Sequence, residues 1–392
     1  MKKLFIWILA LSLLTGCAKT EQTEPQNTEP PYDETAEAAA TSETEAPQPP
    51  SVTISMVGDV LLHETVSDSG RMEDGSYRYD HLFQNIQDEI ARADISIVNQ
   101  EVILGGRELG LSGYPNFNGA FEVGDSLARA GFDVVLHATN HALDKKEAGV
   151  RSCLNFWKTS YPHMAVLGIY ESAAARDTVY VREVNGIRIA ILNYTYGTNG
   201  ITLPSGSPYA INLLEETTVR SDIARARETA DFVIVAPHWG TEYKLTPDES
   251  QKKWTQIFYD CGVDLVIGTH PHVIEPVERI TGDKGSMLVY YSLGNFINAT
   301  AETGKGIANR MVGAMAQITI SMDDKGEVHI SDYGVLPLVT HVRTGAGGIT
   351  TYKLSDYTQT LAEENEIRGS DPDFSLEYCK NLCRQVFGDL YS

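Results

Sequence analysis

The chain has 392 residues and a formal net charge of −22, from 53 acidic and 31 basic side chains. This acidic surplus argues against nucleic acid as a general partner, because the phosphate backbone would be repelled. The apolar share of 42% is that of an ordinary folded protein, and the length suits one large domain or two small ones.

The first residues are typical of a bacterial lipoprotein signal. Two lysines precede an apolar stretch, residues 4–14, that is too short for a transmembrane helix. The stretch runs into Leu14-Thr15-Gly16-Cys17, which resembles a lipobox. The alternative is an ordinary secretory signal followed by a chance cysteine. We expect residues 1–16 to be removed and Cys17 to carry the lipid, which predicts an extracytoplasmic lipoprotein anchored in the cell membrane.

The next segment, residues 17–50, is dominated by Glu, Thr, Ala and Pro and has no apolar period. Such a segment cannot bury enough surface to fold, and its like charges keep it extended. We therefore predict an acidic disordered tether at 17–50 and a folded domain at 51–340. Residues 341–392 are predicted to form a C-terminal loop and helix that pack on this domain.

In the folded part, short β-branched runs alternate with amphipathic stretches, which predicts an α/β core with much parallel pairing. The predicted strands cover residues 52–57, 95–98, 134–136, 187–192, 232–236 and 265–267. The predicted helices cover residues 83–92, 121–130, 219–230 and 251–260.

Late in the chain this alternation changes. Strands are predicted at 287–292, 314–322 and 327–335, and the turn Asp323-Asp324-Lys325-Gly326 predicts a hairpin between the last two. We expect these strands to form a second sheet stacked on the first, with a helix from about residue 373. Four further cysteines permit disulfides of undetermined pairing, although Cys379 and Cys383 have the spacing of packing residues on one helix.

Polar side chains follow five of the predicted strands. Ligands bind beyond the carboxyl ends of strands in open α/β sheets, so we expect these five ends to share one sheet edge and converge on one cleft. A single Asp or His of this kind is as often a helix cap or a structural residue, but five together favour a site. Oxygen and imidazole ligands suit a divalent cation such as Mn, Fe or Zn. The residues are Asp59 with His63, Glu101, Asn140 and His141 with Asp144, His238 with Glu242, and His270 with His272.

We expect His270 and His272 to lie on one face of an extended segment and to point at the same place, because they are two residues apart.

Six motifs follow one another along the chain: Gly58-Asp59, Asn99-Gln100-Glu101, Asn140-His141, His238-Trp239-Gly240, Gly268-Thr269-His270-Pro271-His272 and Ser292-Leu293-Gly294-Asn295-Phe296. In this order they resemble the CapA family, which is named for poly-γ-glutamate capsule synthesis and is related to the calcineurin-like metallophosphoesterases. The resemblance runs from about residue 52 to residue 297. It implies a metallophosphatase-like four-layer α/β/β/α sandwich of two stacked mixed sheets, with a two-metal site between the sheet ends.

The resemblance also implies roles for individual residues. One metal would be held by Asp59 and His272, and Glu101 would bridge the two metals where the wider superfamily has an aspartate. The second metal would be held by Asn140, His238 and His270.

Beside these ligands, the resemblance implies that His141 is the acid that protonates a leaving oxygen, with Asp144 as its orienting partner. Asn295 would organise the cleft. The superfamily has a histidine two residues after the first aspartate, where this chain has Leu61. His63 can substitute for that ligand, or it can face solvent or substrate.

Two functions remain open from the sequence. The first is a surface metallohydrolase acting on a phosphoester or an amide-linked anionic polymer. The second is a non-catalytic component of a capsule assembly or export complex, bound to capsule synthesis or export proteins, that holds polymer carboxylates. His141 favours the enzyme, because a structural site needs no acid beside a ligand, whereas Leu61 and the tether favour the second function.

Overall fold

The structure is a computed structural model that describes residues 49–391. The predicted signal, the predicted lipidation site Cys17 and nearly all of the predicted tether lie outside the described residues. No helix within the described range combines the length and the apolar character needed to cross a membrane.

The strands of the described part form two mixed sheets. They are β1 Ser51–Val60, β2 Ile95–Asn99, β3 Val134–Leu136, β4 Ala165–Leu167, β5 Val181–Val184, β6 Ile187–Thr195, β7 Phe232–His238, β8 Leu265–Ile267, β9 Val277–Gly282, β10 Gly285–Tyr290, β11 Asn295–Ile297, β12 Val312–Met322, β13 Val328–Val342 and β14 Ile349–Lys353.

The first sheet has the strand order β14-β13-β12-β1-β2-β3-β4, and the second has the order β5-β6-β7-β8-β10-β9. Strands β1 to β4 are parallel, as are β6, β7, β8 and β10. Strand β12 runs antiparallel to β1 up to Val57, and β11 then pairs with β1 in parallel at Asp59. This exchange of neighbours places Asp59 directly beside Asn295.

The two sheets are stacked, as their burial shows. In β6, Ile189 and Ile191 belong to the core that also contains Met56 and Val98 of the first sheet. The alternate residue Ala190 lies in a second core with helix residues on the other side. Because side chains alternate across a strand, the second sheet is covered by the first sheet on one face and by helices on the other.

Helices flank both sheets. In α6 and α7, Ile223 and Phe258 are in the core on the outer face of the second sheet. Helices α3 and α4 contribute Leu127 and Trp157 to the core of the first sheet. The helices are α1 Glu64–Ser69, α2 Gln87–Ala91, α3 Phe121–Ala130, α4 Lys146–Ser160, α5 Ala173–Asp177, α6 Glu216–Thr229, α7 Glu249–Asp260, α8 Gln359–Glu364 and α9 Leu376–Phe387.

The predicted α/β class with two stacked mixed sheets is confirmed. The prediction that the late strands form the second sheet by themselves is wrong, because β12 and β13 extend the first sheet and only β10 belongs to the second. The β12–β13 hairpin itself is confirmed. The predicted domain boundary at residue 340 falls inside β13, and β14 continues the first sheet beyond it.

The predicted helix 83–92 is reduced to α2, because turns and a short 3₁₀ helix occupy the residues before Gln87. Helix α4 lies in a stretch with no predicted helix. Cys153, Cys261, Cys379 and Cys383 are free thiols in the described part, and burial of the last two in α9 confirms them as packing residues.

Candidate metal centre

The predicted site residues converge from both sheets. Asp59, Glu101 and Asn140 lie at or just beyond the ends of β1, β2 and β3 in the first sheet, whereas His238 and His270 lie at the ends of β7 and β8 in the second. The prediction of a single sheet edge is therefore wrong. The cleft forms because the carboxyl ends of the parallel strands in the two stacked sheets face the same way.

Asp59 is fully buried at the centre of this cleft. Its Oδ1 accepts a hydrogen bond of 2.7 Å from Asn99 Nδ2, and its Oδ2 accepts one of 3.2 Å from the backbone N–H of His270. Oδ2 also lies 3.2 Å from His272 Nδ1. Asp59 therefore links the first sheet to the histidine segment that follows β8.

Glu101 is also fully buried, and neither of its carboxylate oxygens has a hydrogen-bond partner among the described residues. Its Oε1 lies 3.7 Å from His238 Nε2 and 3.6 Å from His272 Nε2. Burial, followed by the nearby Asp59 charge, raises the pKa of Glu101 well above its usual range, with His272 acting in the opposite direction. A carboxylate in this position needs a cation or a proton.

His238 is held from both sides. Its Nδ1 lies 3.0 Å from Thr269 Oγ1, and its Nε2 lies 2.9 Å from Asn140 Oδ1. Burial and the neighbouring His270 lower the pKa of His238 well below its usual value. The ring is therefore kept in the neutral form, which is the form that binds metals.

His270 and His272 lie on a strained turn. Their φ angles are 99° and 59°, in the left-handed region that residues with a Cβ rarely adopt. The prediction of an extended segment is thus wrong, although the two rings do converge, with centroids 5.6 Å apart. Strain of this kind costs about 1–3 kcal/mol per residue and persists where the surroundings impose it, often at functional sites.

The two histidines differ in charge. Burial and the charge of His272 lower the pKa of His270 well below its usual value, and His270 Nδ1 has no described partner. Burial also acts to lower the pKa of His272, but the carboxylates of Glu101 and Asp59 outweigh it and raise that pKa to about 10. A proton or a metal cation on His272 would satisfy the same two carboxylates.

Three groups of side chains within the described residues have ligand atoms within 4.8 Å of one another. Glu101 belongs to two of them, which is the position that a bridging ligand requires. The groups are Asp59 with Glu101 and His272, Glu101 with His238 and His270, and Glu242 with His270 and His272.

This donor set fits a divalent cation. Carboxylate oxygens and neutral imidazoles are the ligands of Mn, Fe and Zn. Both oxygens of Glu101 and Nδ1 of His270 are buried with no described hydrogen-bond partner. Leaving buried polar groups unsatisfied costs about 1–3 kcal/mol each, and bound cations would remove that cost.

An acid–base pair lies beside the cluster. His141 Nδ1 is 2.7 Å from Asp144 Oδ2, and both residues are buried. The backbone N–H of Phe117 donates to the same carboxylate oxygen at 2.7 Å, and the Phe117 ring meets the His141 ring edge-on at 4.7 Å. These contacts fix the orientation of the imidazole.

The three remaining candidates have different surroundings. Asn295 Oδ1 lies 3.0 Å from His272 Nδ1, and its Nδ2 donates to the backbone oxygens of His272 and Arg310. Glu242 is exposed at the rim. His63 is in none of the three ligand groups and packs against Phe117 instead.

Sequence reasoning missed several contact residues. Thr269 contacts His238 and Asn99 contacts Asp59; both lie within the six motifs, but neither was predicted to have a role. Asn199, in the loop after β6, lies within 3.3 Å of both His141 Nδ1 and Asn140 Nδ2. The only indication of this contact in the sequence is that the loop is polar and follows the end of a strand.

Two curated proteins are similar to this chain. The PGA biosynthesis protein CapA of Bacillus subtilis (strain 168) is 32% identical over 168 residues, covering 42% of each protein. The capsule biosynthesis protein CapA of Bacillus anthracis is 26% identical over 255 residues, covering 63% of this chain and 59% of the relative. The chain therefore matches less than two thirds of the length of either relative.

Among solved structures, a 5'-nucleotidase precursor from Thermus thermophilus is 14% identical, covering 74% of this chain and 54% of that chain, with a TM-score of 0.43. A likeness this distant says nothing about activity. The model of the bacterial capsule synthesis protein family PGA_cap matches residues 53–300 of this chain, and this match confirms the resemblance. The matched range contains all the candidate ligands. This chain belongs to that bacterial capsule synthesis protein family.

Proposed function

We propose that this protein is a divalent-metal-dependent hydrolase of capsule or envelope polymer synthesis, acting on a phosphoester. The observation that carries the proposal is Glu101, a fully buried carboxylate with two unpartnered oxygens at the meeting point of two ligand groups. A structural carboxylate would be paired in the fold, whereas this one is left for a ligand.

The ligand groups support two cation positions that share Glu101. Asp59 and His272 would complete one position, and Asn140, His238 and His270 would complete the other. Bound cations would act as Lewis acids toward the substrate and supply a nucleophile at neutral pH.

His141 provides the proton that ester hydrolysis requires. A water oxygen forms the new bond to phosphorus while the bond to the leaving oxygen breaks; the leaving oxygen takes a proton from His141, and the proton released by the attacking water restores the imidazolium. Asp144 holds the Nδ1 side of the imidazole, so Nε2 is left to donate the proton. Positioned acids of this kind contribute typically about 10²–10⁴-fold to rate.

We also propose that the protein acts at the outer face of the cell membrane. The lipobox-like segment ending at Cys17 supports a lipid anchor on the outer face of the cell membrane, where a capsule polymer and its assembly proteins would be the partners. Membrane fractionation of cells tests this: Cys17→Ser should move the protein from the membrane to the soluble fraction. Retention of that variant in the membrane would refute the anchor.

A non-catalytic role has one observation in its favour. Leu61, which is buried, occupies the place where the phosphoesterase superfamily has a histidine, and His63 does not replace it in the ligand groups. In this alternative the metal centre would hold the carboxylates of an anionic polymer within an assembly or export complex.

The test combines metal content with turnover on the full-length protein in detergent. We expect close to two Mn or Fe per chain, and hydrolysis of p-nitrophenyl phosphate or bis-p-nitrophenyl phosphate that His270→Ala abolishes. His163→Ala, at an exposed histidine, serves as the control. Metal binding without turnover would favour the polymer-holding role, and absence of metal binding would refute both.

A further inference from the structure

A buried arginine lies beside the metal centre with most of its hydrogen-bonding capacity unused. Arg310, on the 3₁₀ helix Ile307–Met311, is 8% exposed. Its Nη1 forms an ion pair with Glu302 Oε2 at 2.7 Å, whereas its Nε is buried with no described hydrogen-bond partner. A guanidinium has five N–H donors in a planar fork, which suits two oxygens of one anionic group.

The local contacts direct this arginine toward the metal ligands. The Arg310 backbone oxygen accepts from Asn295 Nδ2 at 3.0 Å, and Asn295 Oδ1 lies 3.0 Å from His272 Nδ1. The guanidinium carbon lies 3.5 Å from the centre of the Tyr243 ring, and that ring is 6.0 Å from the His272 ring. Arg310 is thus fixed on the side of the cluster formed by His272.

The present partner of Arg310 is easy to replace. The Glu302 side chain is 63% exposed and belongs to the loop between β11 and the 3₁₀ helix. Because this carboxylate is exposed, water solvates it when it leaves, and an incoming oxyanion keeps the buried guanidinium paired. A ligand oxyanion held also by the metal centre would displace the Glu302 carboxylate at little cost.

We infer that Arg310 binds the anionic group of the substrate at this site. The Glu302 carboxylate pairs with Arg310 until the substrate binds and displaces it. Arg310 recognises an oxyanion with two oxygens facing the guanidinium, either the phosphate of a phosphoester or a carboxylate of a γ-linked glutamate polymer. The inference rests on the proposed function, in that the metal centre is the place where the bound group reacts or is held.

The experiment measures anion binding rather than turnover. Calorimetry on the full-length protein in detergent gives the Kd of inorganic phosphate and of γ-linked triglutamate, with manganese and again with chelator. Arg310→Gln should weaken binding of at least one anion about tenfold or more, because a charge-assisted bidentate contact is lost. Arg343→Gln, which removes an exposed arginine paired with Glu364, should leave both values unchanged.

Glu302→Gln is the decisive partner variant, since the residue is exposed and its replacement does not threaten the fold. It should strengthen binding of the same anion about two- to fivefold, because the competing carboxylate is gone. If Arg310→Gln weakens the binding of only one of the two anions, phosphate or triglutamate, that anion identifies the source of the oxyanion.

The inference is overturned if Glu302→Gln and Arg310→Gln leave both dissociation constants unchanged. Failure of the proposed function has a different signature: manganese would not bind, yet the two variants would still shift the anion affinity measured with chelator.

Discussion

Glu101 Oε1 lies 3.6 Å from His272 Nε2, and both side chains are removed from solvent. The same oxygen faces His238 from the second ligand group, so one carboxylate serves both halves of the cluster. With both of its oxygens unpartnered, Glu101 makes the folded state depend on what binds next to it. A metal ion that bound at these groups would therefore stabilise the folded state.

Divalent metal should stabilise the wild-type fold. At a free metal concentration 100 times its Kd, the stabilisation is about 2.7 kcal/mol, visible as a higher Tm than with chelator. In Glu101→Gln the neutral amide balances no metal charge, so the affinity for metal should fall by roughly tenfold or more and at least about half of this stabilisation should be lost. Glu228→Gln, at an exposed site, should keep the full difference. An unchanged metal response in Glu101→Gln would contradict the bridging role.

Turnover should depend on the pair formed by His141 and Asp144. We expect His141→Ala to lower kcat by about 10²–10⁴-fold while metal content stays at the wild-type level, since the residue lies outside the three ligand groups. Asp144→Asn should lower kcat less, because the imidazole remains but is poorly oriented. Steady-state kinetics with metal analysis of each variant checks this. A His141→Ala protein that loses its metal would instead identify His141 as a ligand.

Glu275 should make the fold less stable as pH rises. Burial raises its pKa to about 8, although the hydrogen bond from Gln251 opposes the shift. A carboxyl whose folded pKa exceeds its unfolded value of 4.5 binds more protons when folded, so stability is lost as pH rises from about 4.5 to about 8. The loss is at most about 1.4 kcal/mol per pH unit.

Glu275→Gln removes this titration, so we expect the variant to gain stability over the wild type progressively above pH 4.5 and to reach a constant gain above about pH 8. Denaturant unfolding at pH 5, 7 and 8.5 measures the effect, with Glu228→Gln as the exposed control. A difference between Glu275→Gln and wild type that does not change with pH would show that Glu275 is ionised in both states.

Gly58 should tolerate no side chain. A Cβ at this position would overlap the backbone oxygen of Gly294, which accepts a hydrogen bond from the Asp59 N–H. Because backbone cannot move aside as a flexible side chain can, Gly58→Ala should cost about 1–3 kcal/mol and weaken metal binding by displacing Asp59. Gly334→Ala, where a Cβ meets nothing within 4 Å, is the matched control. Equal unfolding curves for the two variants would contradict this expectation.

The identity of the candidate ligands could be predicted from the sequence, because each follows a strand whose apolar run is a local signal. Runs such as Val134–Leu136 and Leu265–Ile267 are strands in the structure with the predicted bounds. The helix Phe121–Ala130 is likewise found as predicted, because its apolar spacing and the glycine after it are local features. The Asp323–Gly326 turn predicted its hairpin for the same reason.

Local patterns failed where distant parts of the chain decide. The apolar spacing before Gln87 predicted a longer helix. In the structure Leu82, Phe83 and Ile86 are buried, but they lie in a 3₁₀ helix and turns. The partner of β12 could not be inferred, because its apolar residues fit either sheet and only packing against β1 selects the first. Arg310 gave no signal, since its role comes from neighbours far away in the sequence.

The sequence by itself determined which residue types lie at the strand ends and in what order, because strand periodicity and the chemistry of a ligand depend only on residues close together in the sequence. Only the tertiary structure decided that the ligands come from two sheets and that His270 and His272 adopt left-handed backbone conformations. It also decided that Glu101 is left without a partner between them. Those outcomes depend on stacking two sheets over a shared core, and the free energy of that burial belongs to the whole fold rather than to any segment.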